Sequence, residues 1–319
     1  MPSELVVLVT YNLSPPNIQR IKDVSPSIEV VATNDPKKIE LSLPEATVIF
    51  GEVEPEFLAL AKKLKWVHYP YAGVDKALFP EFVTSDITLT CSRGLHKHQM
   101  AEHLFGLMLT FTRRLLTYRS YQMEKKWDTS PFRETQLLTN STLGILGVGA
   151  IGTEMAKAAK GFGMRVMGLK MNPSVHVENV DVLLGTKGLP QLLRGSDHVV
   201  VVLPLTLETE NLITEKEFGL MERKPFFYNL ARGPIVNTGD LIEALKRGKI
   251  KGAGLDVFEE EPLDKASPLW AMENVIITPH VGGLIPHYIT EAISPFLENL
   301  RRFLTGEDLL NVVNKRKGY

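Results

Sequence analysis

Short runs of Val, Ile and Leu that do not alternate with polar residues recur along the whole chain, and such a strand is stable only if both its faces are covered. They form two series. The first comprises Leu5 to Val9, Glu29 to Ala32, Val48 to Phe50, Trp66 to Tyr69 and Ile87 to Thr90. The second comprises Leu143 to Leu146, Arg165 to Leu169, Val180 to Leu184, Val199 to Leu203, Phe226 to Leu230, Ala253 to Val257 and Val275 to Thr278. Helix-like stretches stand between them, for example Thr153 to Gly161 and Thr238 to Gly248. The alternation predicts an α/β chain, with a doubly wound parallel sheet built from the second series. At 319 residues it exceeds what one core usually supports, so two domains are expected.

Between the two series, Met100 to Met123 carries Leu104, Leu107, Met108, Phe111 and Leu115 at helical spacing, which predicts one long helix, either a crossing helix or a dimer arm. The amphipathic stretch Ile289 to Leu304 follows the last strand of the second series. If it packs back on the first domain, that domain is discontinuous.

A formal net charge of -1 gives no broad attraction to nucleic acid or an anionic membrane, so the expected partner is a small molecule. The single Cys91 has no internal disulfide partner, and the start Met1-Pro2-Ser3-Glu4 has no basic n-region. No apolar run reaches the roughly 18 residues needed to span a bilayer. Together these predict a cytoplasmic protein.

Chemistry enters at Gly147-Val148-Gly149-Ala150-Ile151-Gly152. Glycines cluster in many turns, so a lone GxGxxG says little. Here Leu143-Gly144-Ile145-Leu146 leads in as a strand and Thr153-Glu154-Met155-Ala156 leads out as a helix, the order that a dinucleotide-binding turn requires. Gly147 permits the tight turn, Gly149 lets the backbone approach a pyrophosphate, and Gly152 lets the helix sit close to the strand. The helix start, at Ala150 and Ile151, then offers unpaired N–H groups and a positive dipole end. An acid about 20 residues further on would favour NAD through the ribose 2′-OH. The next strand instead ends Leu169-Lys170-Met171-Asn172, and a cation at Lys170 favours a 2′-phosphate. NADP is therefore the expected cofactor, with NAD the alternative.

Three polar residues follow apolar runs of the second series. Arg232 comes after Phe226-Phe227-Tyr228, at the strand end where open α/β sheets bind ligands, and its planar fork suits a carboxylate. Glu261 lies in Asp256-Val257-Phe258-Glu259-Glu260-Glu261-Pro262, and His280 in Thr278-Pro279-His280-Val281-Gly282-Gly283. A carboxylate bonded to one imidazole nitrogen fixes the tautomer and favours the imidazolium, leaving the other nitrogen to exchange a proton. The three glutamates also read as an acidic turn with at least two of them merely solvated.

The chain resembles the D-2-hydroxyacid dehydrogenase family, which includes glyoxylate/hydroxypyruvate reductases and phosphoglycerate dehydrogenases. Besides the glycine loop, the resemblance rests on Tyr71-Ala72-Gly73-Val74-Asp75, Ser92-Arg93-Gly94, Ala101-Glu102-His103, Leu203-Pro204-Leu205-Thr206 and the Arg, Glu and His segments in order. It implies a flavodoxin-like substrate domain over 1–100 and 286–319, a Rossmann domain over 101–285, and a homodimer built on the helix near residues 100 to 120. It implies that Arg232 grips the substrate carboxylate, His280 is the acid/base and Glu261 orients it. Backbone N–H groups of Ala72 and Gly73 would add to the carboxylate site. Asp256 would hold the nicotinamide carboxamide, with Thr206 and Ala231 also at the cofactor. Lys170 departs from the family's common Asp.

The reaction so implied is hydride transfer between NAD(P) and a small 2-oxo or D-2-hydroxy acid. Alternatives are a dinucleotide-sensing corepressor-like protein, whose extensions are not seen in this sequence, and a phosphoglycerate dehydrogenase-like enzyme. His96, His98 and His103 invite a metal reading, but no acid or Cys completes a ligand set, so no metal is expected. Trp127, in a loop after the long helix, is expected to pack; Tyr69 and Tyr71 flank the carboxylate loop, and His287 is expected at the surface of the last helix.

Overall fold

The structure, a computed structural model, describes residues 5–319; the Met1 to Glu4 segment lies outside the described residues. The chain divides into two compact units, one running up to Leu95 and resuming at Ile285, the other spanning His96–Leu284.

In the first unit, strands β1 (Leu5–Val9), β2 (Ile28–Ala32), β3 (Val48–Phe50), β4 (Trp66–Tyr69) and β5 (Thr88–Cys91) alternate with helices α1 (Pro15–Lys22), α2 (Pro36–Ser42), α3 (Pro55–Leu60) and α4 (Pro80–Thr84). Each of these helices carries Pro in its first turn, where the missing N–H has no partner to lose. All neighbouring strands are parallel, in the order β2-β1-β3-β4-β5. This is the flavodoxin-like order.

The second unit opens with α5 (Lys97–Thr112) and α6 (Leu115–Met123). The single helix expected over Met100 to Met123 is thus two, because Arg114 takes a left-handed φ of 57° and breaks the hydrogen-bond ladder. Then follow β6 (Thr142–Leu146), α7 (Ala150–Gly161), β7 (Arg165–Leu169), β8 (Val182–Leu184), α8 (Leu189–Gly195), β9 (His198–Val201), α9 (Glu215–Gly219), β10 (Phe226–Asn229), α10 (Thr238–Lys246), β11 (Gly252–Leu255) and β12 (Val275–Ile277). The last helix, α11 (Tyr288–Thr305), belongs to the first unit.

The seven-stranded sheet runs β12-β11-β10-β9-β6-β7-β8, all parallel, so the strand order reverses between β6 and β9. That is a Rossmann-type doubly wound sheet. Its strands face two separate cores. Val199, Val201 and Phe227 point into one, while Val200, Phe226 and Tyr228 point into the other. Two buried faces are the physical reason the sequence runs lack alternation. In the first unit Phe296 of α11 stacks on Trp66 and packs against Phe50, closing one face of the five-stranded sheet. Among the described residues no helix is long and apolar enough to cross a membrane.

Two buried imidazoles carry a consequence for stability. Loss of hydration pushes His68 down to about 3 and His198 to about 4. His68 spends its nitrogens on Thr90 Oγ1 at 2.8 Å and Ser92 Oγ at 3.2 Å. In an unfolded chain both rings titrate near 6.5, so below that pH the unfolded state binds protons the folded state does not. Their contribution is complete above about pH 6.5 and is lost as pH falls toward about 4 for His198 and about 3 for His68. Urea titrations should show unfolding free energy dropping between pH 7 and 5, by up to about 1.4 kcal/mol per pH unit for each ring. His198→Gln should flatten the decline, and an unchanged slope in that variant would contradict the assignment.

Candidate active site

The glycine loop sits where the strand order reverses, between the ends of β6 and β9. Gly147 has φ +108°, and a Cβ there would lie 2.8 Å from the Val202 carbonyl oxygen just past β9. Gly152 is packed more tightly still, its virtual Cβ only 2.3 Å from the Gly147 carbonyl oxygen. Gly149 differs: a Cβ there would meet nothing within 4 Å. It precedes α7, whose start carries no side-chain cap, and the N–H groups of Ala150 and Ile151 have no hydrogen-bond partner among the described residues. An uncapped helix start beside an open glycine is a fitting cradle for a pyrophosphate.

Three strand ends farther along the same sheet edge carry the polar residues. After β10, the buried Asn229 side chain accepts from the Ala231 N–H at 3.2 Å and donates to the Arg232 carbonyl at 3.0 Å. It fixes the turn from which Arg232 projects, half-buried, with Nη1 on the Ala231 carbonyl at 2.8 Å. Gly233 follows, so close to the Phe258–Glu259 peptide that a Cβ would lie 1.8 Å from the Phe258 carbonyl carbon. The Arg232 turn is thereby seated on the segment that carries Glu261.

Glu261 binds at both oxygens. Oε1 accepts the Phe258 N–H at 3.0 Å and Oε2 meets His280 Nδ1 at 2.7 Å. Nε2 of His280 has no hydrogen-bond partner among the described residues. His280 itself is left-handed, at φ 54°, unusual for a residue with a side chain. What holds it is Asp256, which is 2 % exposed. The Asp256 carbonyl accepts the His280 N–H at 2.8 Å, Oδ1 accepts the Val281 N–H at 2.9 Å, and Oδ2 accepts the Gly282 N–H at 2.9 Å. Oδ1 also accepts the Thr278 hydroxyl at 2.6 Å.

A nucleotide cradle and an imidazole–carboxylate pair on one sheet edge agree with what the chain is similar to. The family described as "D-isomer specific 2-hydroxyacid dehydrogenase, NAD binding domain" matches residues 105–282. A glyoxylate reductase of Thermococcus litoralis is 35 % identical over 276 residues, 84 % of this chain and 82 % of that one. This chain belongs to the D-isomer specific 2-hydroxyacid dehydrogenase family. Among solved structures, a family member from Aeromonas salmonicida has a TM-score of 0.86 at 33 % identity, covering 98 % of this chain and 100 % of that one. An NADPH-dependent glyoxylate/hydroxypyruvate reductase of Sinorhizobium meliloti, solved with NADP and sulfate, has a TM-score of 0.85 at 28 % identity, covering 99 % and 100 %. The protein is accordingly an NAD(P)-dependent oxidoreductase acting on the CH–OH group.

Within this dehydrogenase, the structure pairs His280 with Glu261 and brings the Arg232 turn against the Glu261 segment. Lys170 is half-buried at the end of β7, with no side-chain hydrogen bond or ion pair among the described residues. Thr206 begins a turn closed by Thr209, whose Oγ1 accepts the Thr206 N–H at 2.8 Å. Ala72 and Gly73 lie in the first unit after β4, and their N–H groups have no hydrogen-bond partner among the described residues. Of the acidic turn, Glu259 caps α10 through the Thr238 N–H at 2.8 Å.

Trp127 requires a correction: the expected packing is not seen among the described residues, where its side chain is 97 % exposed. Tyr69 is buried and stacks edge-on against the half-buried Tyr71, at 5.6 Å between ring centroids. His287 is exposed immediately before α11. Two contributors escaped the sequence reading: Asn229, the last residue of β10, and Thr278, a strand-end hydroxyl. A polar residue closing an otherwise apolar run was the available signal for Asn229.

Gly149→Ala and Gly152→Ala should separate ligand space from folding space. Gly149→Ala is expected to keep the wild-type melting temperature while NADPH affinity, followed by fluorescence titration, falls at least about tenfold. Gly152→Ala should lower the melting temperature, because its Cβ collides with backbone. A Gly149→Ala protein that binds NADPH as tightly as wild type would remove the loop from the cofactor site.

Proposed function

We propose that this dehydrogenase reduces a small 2-oxo acid of the glyoxylate or hydroxypyruvate type to the D-2-hydroxy acid, with NADPH as the preferred coenzyme. The observation that carries the reading is the 2.7 Å bond from His280 Nδ1 to Glu261 Oε2, which leaves Nε2 to serve the substrate. Relatives named glyoxylate reductase and structural neighbours holding NADP or NADPH support it.

When bound, the coenzyme supplies a hydride to the carbonyl carbon. His280 Nε2 delivers the proton to the carbonyl oxygen, and Glu261 stabilises the imidazolium and keeps the ring oriented. Arg232 binds the substrate carboxylate in bidentate fashion and offsets negative charge growing on the oxygen. The first unit serves as the substrate domain, and the backbone N–H groups of its Ala72 and Gly73 are donors suited to a carboxylate. On the coenzyme side, Gly147, Gly149, Ala150, Ile151 and Gly152 cradle the pyrophosphate and Lys170 meets the 2′-phosphate. Asp256 retains acceptor capacity for the nicotinamide carboxamide, while Thr206 and Ala231 line the cleft. The enzyme works as a cytoplasmic homodimer, in which a second copy would cover the exposed apolar side chains Leu115, Leu116, Met123 and Trp127.

Assay of the purified enzyme against glyoxylate, hydroxypyruvate, pyruvate and phenylpyruvate should show the fastest turnover on one of the first two. On that substrate His280→Gln should lower kcat by roughly 100-fold or more, and an undiminished kcat would dismiss its proton-transfer role. Arg232→Ala should raise KM and lower kcat together; a change in neither would exclude carboxylate binding.

The coenzyme preference has its own check. NADPH should give a kcat/KM at least about tenfold above NADH, and Lys170→Asp should reverse the order. Equal use of the two by the wild type would refute the role given to Lys170.

A further inference from the structure

The geometry points to His103 as a positioning residue for His280, acting from α5 through Thr278 and Asp256; the inference rests on the proton-transfer role proposed for His280. His103 Nε2 lies 3.1 Å from Thr278 Oγ1 and 3.7 Å from Asp256 Oδ1. A hydroxyl has one proton, and the 2.6 Å Thr278 Oγ1 to Asp256 Oδ1 bond takes it, since a carboxylate only accepts. Thr278 Oγ1 must therefore accept from His103, which places the proton on Nε2. The result is a directed chain, Nε2–H to Oγ1–H to carboxylate, in which each bond polarises the next.

The end of that chain is the group that shapes the catalytic turn. Asp256 receives the N–H groups of His280, Val281 and Gly282, through its carbonyl and its two carboxylate oxygens respectively. Gly282 fills the space between the two side chains: a Cβ there would lie 2.9 Å from Asp256 Oδ2 and 3.1 Å from His103 Cδ2. The imidazole and the carboxylate together leave no room for a side chain at Gly282. His280 sits at φ 54°, a conformation that surrounding contacts must enforce. If His103 is removed, Thr278 loses its donor and is free to rotate away, the carboxylate loses an acceptor site's partner, and the turn relaxes. His280 Nε2 then drifts from its aim at the substrate oxygen.

The test uses the full-length enzyme and the 2-oxo acid it reduces fastest, with His103→Leu, His103→Gln, Thr278→Val and Thr278→Ser. His103→Leu and Thr278→Val should lower kcat about tenfold or more, because small misplacements of a reacting group are expensive. NADPH affinity, read by fluorescence, should change less than kcat does, since the pyrophosphate cradle is untouched. Gln can donate from a similar reach and Ser keeps the hydroxyl, so both should recover most of the rate. A merely structural role would move the melting temperature without this split between kcat and affinity, and without rescue. If His103→Leu does not fold, the Thr278→Val and Thr278→Ser pair decides alone. Wild-type kcat in His103→Leu or Thr278→Val, or His103→Gln as slow as His103→Leu, overturns the inference. His280→Gln is run alongside: if it is inactive while His103→Leu is unaffected, only the positioning role fails, whereas an active His280→Gln removes the reading of the site and this inference with it.

Discussion

The carboxylate of Asp256 is 2 % exposed at the end of β11, and the shape of the turn that carries His280 depends on it. A buried carboxylate without partners is strongly destabilising, so it must be surrounded by donors. Here the donors are two backbone N–H groups and a hydroxyl from the segment that follows β12, so satisfying the charge folds that segment into one conformation. Each charge-assisted bond contributes roughly 1.5–3 kcal/mol, against about 1–2 kcal/mol for one residue held left-handed. The bonds prevail. His280 is consequently fixed within 2.7 Å of Glu261.

The wider frame is the doubly wound sheet. Because β6 and β9 are neighbours while their connections leave in opposite directions, a gap opens at their C-terminal ends, and the Gly147–Gly152 loop occupies it. Parallel strands put every functional segment of this unit at the same edge, from the glycine loop after β6 through Arg232 after β10 to His280 after β12. Both sides of the sheet are sealed by apolar cores, which leaves that edge as the place where polar groups can gather without a burial penalty. The polar groups of this unit therefore gather at strand ends, while the strands themselves supply rigidity.

Much of this was legible in the residues. Strands such as Arg165–Leu169 and Trp66–Tyr69 were readable to the residue, since two-sided burial leaves continuous apolar runs. Others shifted at one end, as with Val182–Leu184, whose sequence run begins at Val180, because Val180 and Asp181 lie in the loop that enters the strand. The break between α5 and α6 was invisible: apolar spacing continues through Leu115, while the interruption is a backbone event at Arg114. The pairing of Glu261 with His280 could be anticipated because each follows a strand of one parallel sheet. The part played by Thr278 and His103 could not, since 175 residues separate two groups only 3.1 Å apart. Trp127 shows the same limit from the other side, as aromatic character suggested packing where the chain offers none.

The proposed reaction requires direct passage of hydrogen between the coenzyme and the carbon next to a carboxylate. Following deuterium from C4-labelled NADPH into the product by mass spectrometry and chiral chromatography tests it most directly. One deuterium at C2 of a D-2-hydroxy acid is the predicted result. Product lacking the label, or label in the L isomer, would contradict it.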